Sequence, residues 1–217
     1  MFKSTTMKQT FLFIITSILF CGFFASCSTN KGFVSNMTRE DIQQLAQFEM
    51  YAHFGRVENG VSIIDNDSVT NVAKSLFETE LAHDKTLPVT EAIVISDNLV
   101  RNKVQDEIRW LRIYIDNNVP IKDITIPPTV DSILCARNMR FGLLVHNGGF
   151  YCPDGIYKGP GSSIPVACEG STRSAIIIVD SKLKNLVYVA TSNRKSNPLE
   201  TETYRKQMND LLKKYKK

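Results

Sequence analysis

The chain of 217 residues has little of what marks a metal enzyme or a nucleotide-dependent enzyme. It has three histidines, His53, His83 and His146, and no two of them lie at a spacing typical of zinc ligands. It contains no P-loop, no dinucleotide-binding glycine motif after a strand, no HExxH motif and no GxSxG motif. The sequence therefore predicts no metal site and no cofactor.

A strong charge of either sign is also missing. The 26 basic and 22 acidic residues give a formal net charge of +4. Without Lys3 and Lys8, which precede the one long apolar run, 24 basic residues face 22 acidic ones and the charge is +2. A charge this small gives no reason to expect nucleic acid as a partner.

The long apolar run covers residues 11–24, which is shorter than the roughly 20 residues that a helix needs to cross a bilayer. Basic residues precede the run and the small residues Ala25 and Ser26 follow it, directly before Cys27. A basic start, a short apolar region and a small-residue end predict a signal peptide over residues 1–26 rather than a transmembrane helix.

The small residues before Cys27 resemble the lipobox of bacterial lipoproteins. That resemblance implies cleavage before Cys27, acylation of its sulfur and amine, for instance with palmitate, and a lipid anchor for the mature chain. One acyl chain alone binds a membrane only marginally, whereas several chains on the same residue would hold the protein firmly. Ser28 resembles the residue that directs lipoproteins to the outer membrane, so we expect the protein on the periplasmic face of that membrane.

Cysteine is scarce after position 27, and this limits the disulfides that can form. Cys152 and Cys168 flank a segment rich in glycine and proline, in a compartment that is oxidising. A bridge between them would close a loop of about 15 residues and contribute roughly 3 kcal/mol. Cys135 follows Leu134 in a helical pattern, and we expect it to be a buried free thiol.

The mature chain is long enough for one domain with a full core. Polar residues 27–37 predict a tether, and residues 38–217 predict a single α/β domain. Within this domain, residues 148–172 are predicted to form a loop that the disulfide closes (a stapled loop). The predicted fold is a mixed sheet covered by helices, with a C-terminal β-hairpin followed by a helix. Helices are expected from Thr38, after Asp67-Ser68, after Asp97-Asn98, around 130–134 and from Asn197. Strands are expected over 61–64, 92–95, 121–126, 141–145, 175–179 and 186–189. The strand over 92–95 is apolar throughout and is expected to be covered on both faces.

Candidate contact residues cluster in and beside this loop. The strand over 141–145 is predicted to end at His146, and polar residues at strand ends are common site positions. Tyrosine and phenylalanine give a large contact area at low entropic cost. The predicted binding residues are His146, Asn147, Phe150, Tyr151, Tyr157 and Lys158.

Two alternatives to a binding surface remain open. Cys135 or Cys152 could act as nucleophile with His146 as base, which would make the protein a hydrolase of cell-wall or peptide substrates. The protein could also be one subunit of a homo-oligomeric ring.

The order of elements, the apolar strand at residues 140–145 and the hairpin over 175–188 resemble one group of envelope lipoproteins. That group includes the curli-secretion lipoprotein, the TolB N-terminal domain and the penicillin-binding-protein activator lipoproteins. The resemblance implies scaffold or assembly roles without catalysis, and it transfers no specific functional residue. We therefore expect a non-enzymatic lipoprotein that binds an envelope protein or an envelope polymer.

Overall fold

The fold is described from a computed structural model, which describes residues 32–34, 37–159 and 162–216. The predicted signal peptide and the lipidation site at Cys27 lie outside these residues. The described elements are, in chain order, β1 (Gly32–Phe33), β2 (Leu45–Gln47), β3 (Tyr51–Glu58), β4 (Ser62–Asp65), α1 (Asp67–His83), β5 (Val89–Ala92), α2 (Asn98–Asp116), α3 (Pro128–Ala136), β6 (Phe141–Tyr151), β7 (Ile156–Tyr157), β8 (Val166–Ala167), β9 (Gly170–Asp180), β10 (Asn185–Arg194) and α4 (Thr201–Leu212).

The long strand β6 organises the sheet. It pairs antiparallel with β9 along its whole length, and β10 and then β1 follow beyond β9. On the other side of β6, β2 pairs parallel with its first half and β3 pairs parallel with its second half. The next strands outward are β5, parallel to β2, and β4, antiparallel to β3. The sheet is therefore mixed, and β4 and β5 lie at its edge.

Helices cover both faces of this sheet and bury two apolar cores. Leu143 and Val145 of β6 face the core under α1 and α4, whereas Leu144 between them faces the core under α2 and α3. Side chains alternate between the faces of a strand, so a strand covered on both sides reads as a continuous apolar run. This confirms the predicted α/β class with its C-terminal hairpin and closing helix.

The sequence prediction was wrong for three shorter segments. In place of a helix from Thr38 the chain makes a 3-10 turn at Arg39–Asp41 and then forms β2. The apolar segment 92–95 is not a covered strand, because β5 ends at Ala92 and Val94 is 78% exposed. The segment 121–126 begins with a 3-10 turn at Ile121–Asp123 rather than as a strand. Three or four apolar residues in a row fit several structures, and only the neighbouring strands select one.

The starts of α1, α2 and α4 were predicted to within a few residues. Asn66, one residue before the predicted cap, accepts a hydrogen bond from the Val69 amide and caps α1. Asp97 caps α2 as predicted. The last helix begins at Thr201 rather than at Asn197, whose side chain instead accepts the Leu199 amide in a turn before the helix.

Residues 32–34 of the predicted tether are part of the fold. Gly32 is buried and pairs with Val189 in β1. The Phe33 ring packs 5.1 Å from the Tyr188 ring and 5.5 Å from the Tyr215 ring. The first described strand therefore starts five positions after Cys27.

Candidate binding site

A cleft of about 450 Å³ lies between α2 and the second half of β6. Its floor is formed by neighbouring rows of residues across the sheet, and its walls come from α2 and β4. The residues that line it are Tyr51, His53, Ile63, Arg109, Arg112, Ile113, Asp116, His146, Gly148, Gly149, Phe150, Ser171 and Arg173.

Strand pairing places three of these residues in one row. His53 of β3 lies opposite Gly148 of β6, and Gly148 lies opposite Arg173 of β9. Gly148 adds no side chain between the imidazole and the guanidinium, and the glycine itself is buried. A Cβ atom at position 148 would lie 3.2 Å from the His146 ring and 3.2 Å from the His53 carbonyl oxygen, so the edge of the His146 ring covers this position and leaves little room for a side chain.

Arg112 forms the deep wall of the cleft and is only 3% exposed. Its guanidinium donates to the Asp116 carboxylate at 3.0 and 2.9 Å, to the Ser174 carbonyl oxygen at 3.2 Å and to the Asn193 side-chain oxygen at 3.0 Å. Burial lowers the pKa of Arg112, and the charge of Asp116 opposes that shift. The ion pair with Asp116 and the two neutral acceptors keep the charge of Arg112 stable inside the protein.

His146 lies beside Arg112 and stacks on Tyr51, with 5.1 Å between the ring centroids. Burial, and next the charge of Arg112, lower the pKa of His146 to about 3. The imidazole is therefore neutral at physiological pH. Its Nδ1 atom is buried and has no hydrogen-bond partner among the described residues.

Two further arginines give the cleft its charge. Arg173 is exposed and forms no ion pair with any residue that the structure describes. Arg109 lies over the ring of Trp110, 5.8 Å from the ring centroid. On the opposite side His53 Nε2 lies 3.1 Å from the carboxylate of Asp65. Cationic groups thus exceed carboxylates around the cleft.

A second surface adjoins the cleft at the edge of the sheet. It is a set of exposed branched aliphatic side chains from β4, the turn before it and the β7–β8 hairpin, each between 45% and 56% exposed; Ile63 and Ile64, as neighbours in β4, lie on opposite faces of the sheet. We call it the aliphatic patch; its members are Val61, Ile63, Ile64, Ile156 and Val166. The amide of Lys158 donates to the carbonyl of Gly60 and thereby fixes the hairpin beside this turn.

The loop between β6 and β9 is shorter than the sequence predicted. Both strands continue in register past their predicted ends, so residues 148–151 and 170–172 are strand rather than loop. His146 consequently lies within β6 and does not end it. Cys152 and Cys168 form the predicted disulfide and enclose a loop that contains β7 and β8.

The structure separates the predicted contact residues. Phe150 lines the cleft with His146, and its ring centroid lies 6.1 Å from that of Tyr157. Lys158 is exposed, whereas Tyr151 packs against the core under α1 and α4. Asn147 is fully buried on that opposite face.

Asn147 belongs to a buried polar network. Its side-chain oxygen accepts a hydrogen bond from Ser174, whose hydroxyl also lies 2.9 Å from the Gln207 side-chain oxygen. Gln207 in turn donates to Thr172. Asn147 therefore has no surface with which to contact a partner directly.

The cysteine–histidine hypothesis finds no supporting geometry. Cys152 is closed in the disulfide. Cys135 was predicted to be buried, but it is exposed near the end of α3, and its sulfur lies 3.8 Å from Asp131 Oδ1 and 3.9 Å from Lys184 Nζ. Its side chain points away from the apolar face of α3, which Val130 and Leu134 form.

Sequence reasoning missed the arginines of the cleft. A signal for Arg112 was present, because it follows Ile108 by four residues and so falls on the apolar face of α2. A charged residue on such a face has to find partners inside the protein. Arg173 carries no comparable signal, because its role depends on the register between β9 and β6.

Within the described ranges, no helix is both long enough and apolar enough to span a membrane.

No family model matches the chain, and no curated protein matches it. Among solved structures, the chain is similar to two PelC dodecamers from Paraburkholderia phytofirmans, each 10% identical, with TM-scores of 0.34 and 0.35. Each match covers 84% of this chain and 92% of the PelC chain. It is also similar to the LpoB C-terminal domain from Salmonella enterica, at 8% identity and a TM-score of 0.32, over 75% of this chain and 88% of that one. These values do not assign the chain to a family.

Proposed function

We propose that this protein is a lipid-anchored binding or assembly module without catalytic activity, held by Cys27 at the periplasmic face of the outer membrane. The anchor follows from the signal-peptide pattern that ends at Ala25-Ser26-Cys27. The first described strand starts at Gly32, so at most about 18 Å of extended chain separates it from the proposed anchor at Cys27. The domain therefore works close to the membrane surface.

The aliphatic patch is the single observation that carries the binding role. Clustered exposed apolar side chains mark sites where proteins bind one another, whereas single exposed ones need no explanation. The disulfide and the hydrogen bond from Lys158 to Gly60 hold the loop and the turn together before any partner arrives. A surface ordered in advance loses less entropy on binding.

The occupant that fits this surface best is an extended segment of a partner protein. Among the strands that the structure describes, β4 pairs only with β3, so its outer edge is open. An added strand would pair with that edge while its side chains cover Ile63 and Ile64 on the two faces. We propose an envelope protein as the donor of this strand, and a second copy of the chain is the competing occupant.

Crosslinking in intact cells tests this function, with mass spectrometry of the species recovered with the lipidated protein. The test variant is Ile64→Lys, because lysine on an edge strand opposes the addition of a further strand. The matched control is Val72→Lys on α1, since Val72 is 47% exposed and Ile64 is 48% exposed. Loss of one envelope partner with Ile64→Lys but not with Val72→Lys is the expected result.

Two other results would change the proposal. Crosslinks that join only copies of this chain, and that Ile64→Lys abolishes, would favour a homo-oligomer formed through β4. Equal recovery of the partner by both variants would overturn the role of the aliphatic patch. Separately, Cys27→Ala should move the protein from the membrane fraction to the soluble one, and a protein that stays in the membrane fraction would contradict the lipid anchor.

A further inference from the structure

We propose that the cleft binds one anionic group, a carboxylate or a phosphate, between His53 and Arg173. This inference rests on the proposed binding function and adds the chemistry of a ligand for it. It involves a different surface from the aliphatic patch, although the two surfaces share Ile63.

The spacing of the strands sets the size of the group. Neighbouring strands lie about 4.8 Å apart, so residues two strands apart, such as His53 and Arg173, are separated by about 10 Å between Cα atoms. Gly148 between them adds no side chain. A carboxylate or a phosphate in this space could accept hydrogen bonds from Arg173, whereas His53 Nε2 already lies 3.1 Å from the Asp65 carboxylate and only bounds the space.

The charges around this gap are not balanced by the protein itself. Asp116 is paired with Arg112, and Asp65 faces His53. Arg109 and Arg173 have no carboxylate partner in the described part of the chain. An arginine fork suits the planar carboxylate and the tetrahedral phosphate, and it binds either with two parallel hydrogen bonds.

The walls of the cleft strengthen this attraction. Arg112 is 3% exposed, and the partly buried His146 ring has a buried Nδ1 atom without a hydrogen-bond partner among the described residues. Charges act over longer distances beside walls from which water is excluded. Because the low pKa keeps the His146 ring neutral, this ring can offer a single N–H group. These buried polar groups distinguish the cleft from a set of surface arginines.

The apolar part of the cleft indicates that the anionic group belongs to a larger molecule. Phe150 and Ile63 line one end, and Tyr51 lies at the other under the His146 ring. Such side chains offer contact area to the portion of a ligand next to its charged group.

Trp110 supplies a direct readout. It is the one tryptophan of the chain, and Arg109 of the cleft lies over its ring. The full-length protein in a non-ionic detergent would be titrated with inorganic phosphate and, separately, with acetate, at ionic strength held constant with chloride. Trp110 fluorescence and isothermal titration calorimetry would both be recorded, so that a silent fluorophore does not decide the outcome. We expect saturable binding of at least one of the two anions, and the comparison tells which type the cleft takes.

Two variants make the assignment specific. Arg173→Gln should weaken binding at least about tenfold, since it removes a charge-assisted pair of hydrogen bonds. Arg56→Gln is the matched control: it removes the same charge from an exposed position of β3 that does not line the cleft, and it should change affinity less than about twofold. Circular dichroism checks that both variants fold.

A heat signal and a fluorescence response that both fail to saturate in the wild-type protein would overturn the inference. Equal weakening by Arg173→Gln and Arg56→Gln would also overturn it, because only general electrostatic attraction would remain. A failure of the proposed function is distinguishable from a failure of this inference, because Ile64→Lys tests partner binding and should leave the anion titration unchanged. Loss of anion binding with normal recovery of the partner protein would refute this inference alone.

Discussion

Arg112 donates a hydrogen bond of 3.0 Å to the side-chain oxygen of Asn193, and this bond ties α2 to the strand β10. The two residues are 81 positions apart in the chain. Nearly all of the Arg112 side chain is buried, and its remaining hydrogen bonds go to Asp116 and Ser174. One side chain therefore fixes the position of the helix over the sheet and shapes the deep wall of the cleft.

Arg112→Ala should destabilise the protein by about 2 kcal/mol, since it removes a buried side chain and leaves the buried Ser174 carbonyl oxygen without its donor, whereas Asp116 and Asn193 are exposed to water. Urea unfolding monitored by circular dichroism measures this change in the free energy of unfolding. Lys103→Ala, at an exposed position of the same helix, should change it by less than about 0.5 kcal/mol. Similar values for both variants would show that the network around Arg112 adds nothing to stability.

His146 should make the protein less stable in mild acid. Its pKa is about 3 in the folded protein, whereas a histidine in an unfolded chain titrates near pH 6.5. Between these values the unfolded chain binds a proton that the folded protein does not, so stability is complete above about pH 6.5 and falls as the pH drops toward 3. Between pH 7.5 and 5.0 the loss from this residue should be about 2 kcal/mol.

The measurement for His146 is the urea midpoint at several pH values, in the wild type and in His146→Gln. The glutamine variant keeps a neutral polar side chain and removes the titration. Between pH 7.5 and 5.0 its free energy of unfolding should therefore fall by about 2 kcal/mol less than that of the wild type. Identical pH dependence of both proteins would contradict a buried neutral imidazole.

Gly149→Ala should prevent the close pairing of β6 with β9. Gly149 has a φ of 155°, a region that side-chain-bearing residues rarely adopt, and a Cβ there would overlap the carbonyl oxygen of Ser171. We expect a loss of about 2–4 kcal/mol or failure to fold. Gly159→Ala in the loop, where only the Tyr157 ring is within reach at 3.8 Å, should be nearly neutral by thermal unfolding. A stable Gly149→Ala protein would show that the strands can shift apart.

Removal of the disulfide by the double change Cys152→Ser and Cys168→Ser should cost about 3 kcal/mol, because a free loop of this length gains entropy on unfolding. Cys135→Ser is the control and should be neutral, since that thiol is exposed. Unfolding with and without a reductant measures both effects. If reduction left the wild type unchanged, the bridge would have no role in holding the loop beside Gly60.

Much of the fold could be predicted because its signals are local. The apolar spacing of α2, the cap at Asp97 and the long apolar strands of the hairpin depend on neighbours a few residues away. β2 and β5 were missed because each is short and is selected by strands far along the chain. The disulfide was predictable because two cysteines flank one glycine-rich segment.

The candidate site was predictable only in part. Phe150 and His146 were predicted from their position next to the disulfide loop, and both line the cleft. Asn147, their neighbour in sequence, faces the opposite core because side chains alternate along a strand. The prediction ended β6 at position 145, so it could not apply this alternation to the residues that follow.

The sequence by itself determined the α/β class, the positions of the long helices and the disulfide, because periodicity, caps and composition act over short distances. It also carries the prediction of a lipid anchor at Cys27. Only the tertiary structure decided that His53, Gly148 and Arg173 share one row and that the turn at Gly60 lies against the β7–β8 hairpin. Those relationships depend on the register between strands far apart in the chain, and a shift of one residue would turn every side chain of a strand to the other face.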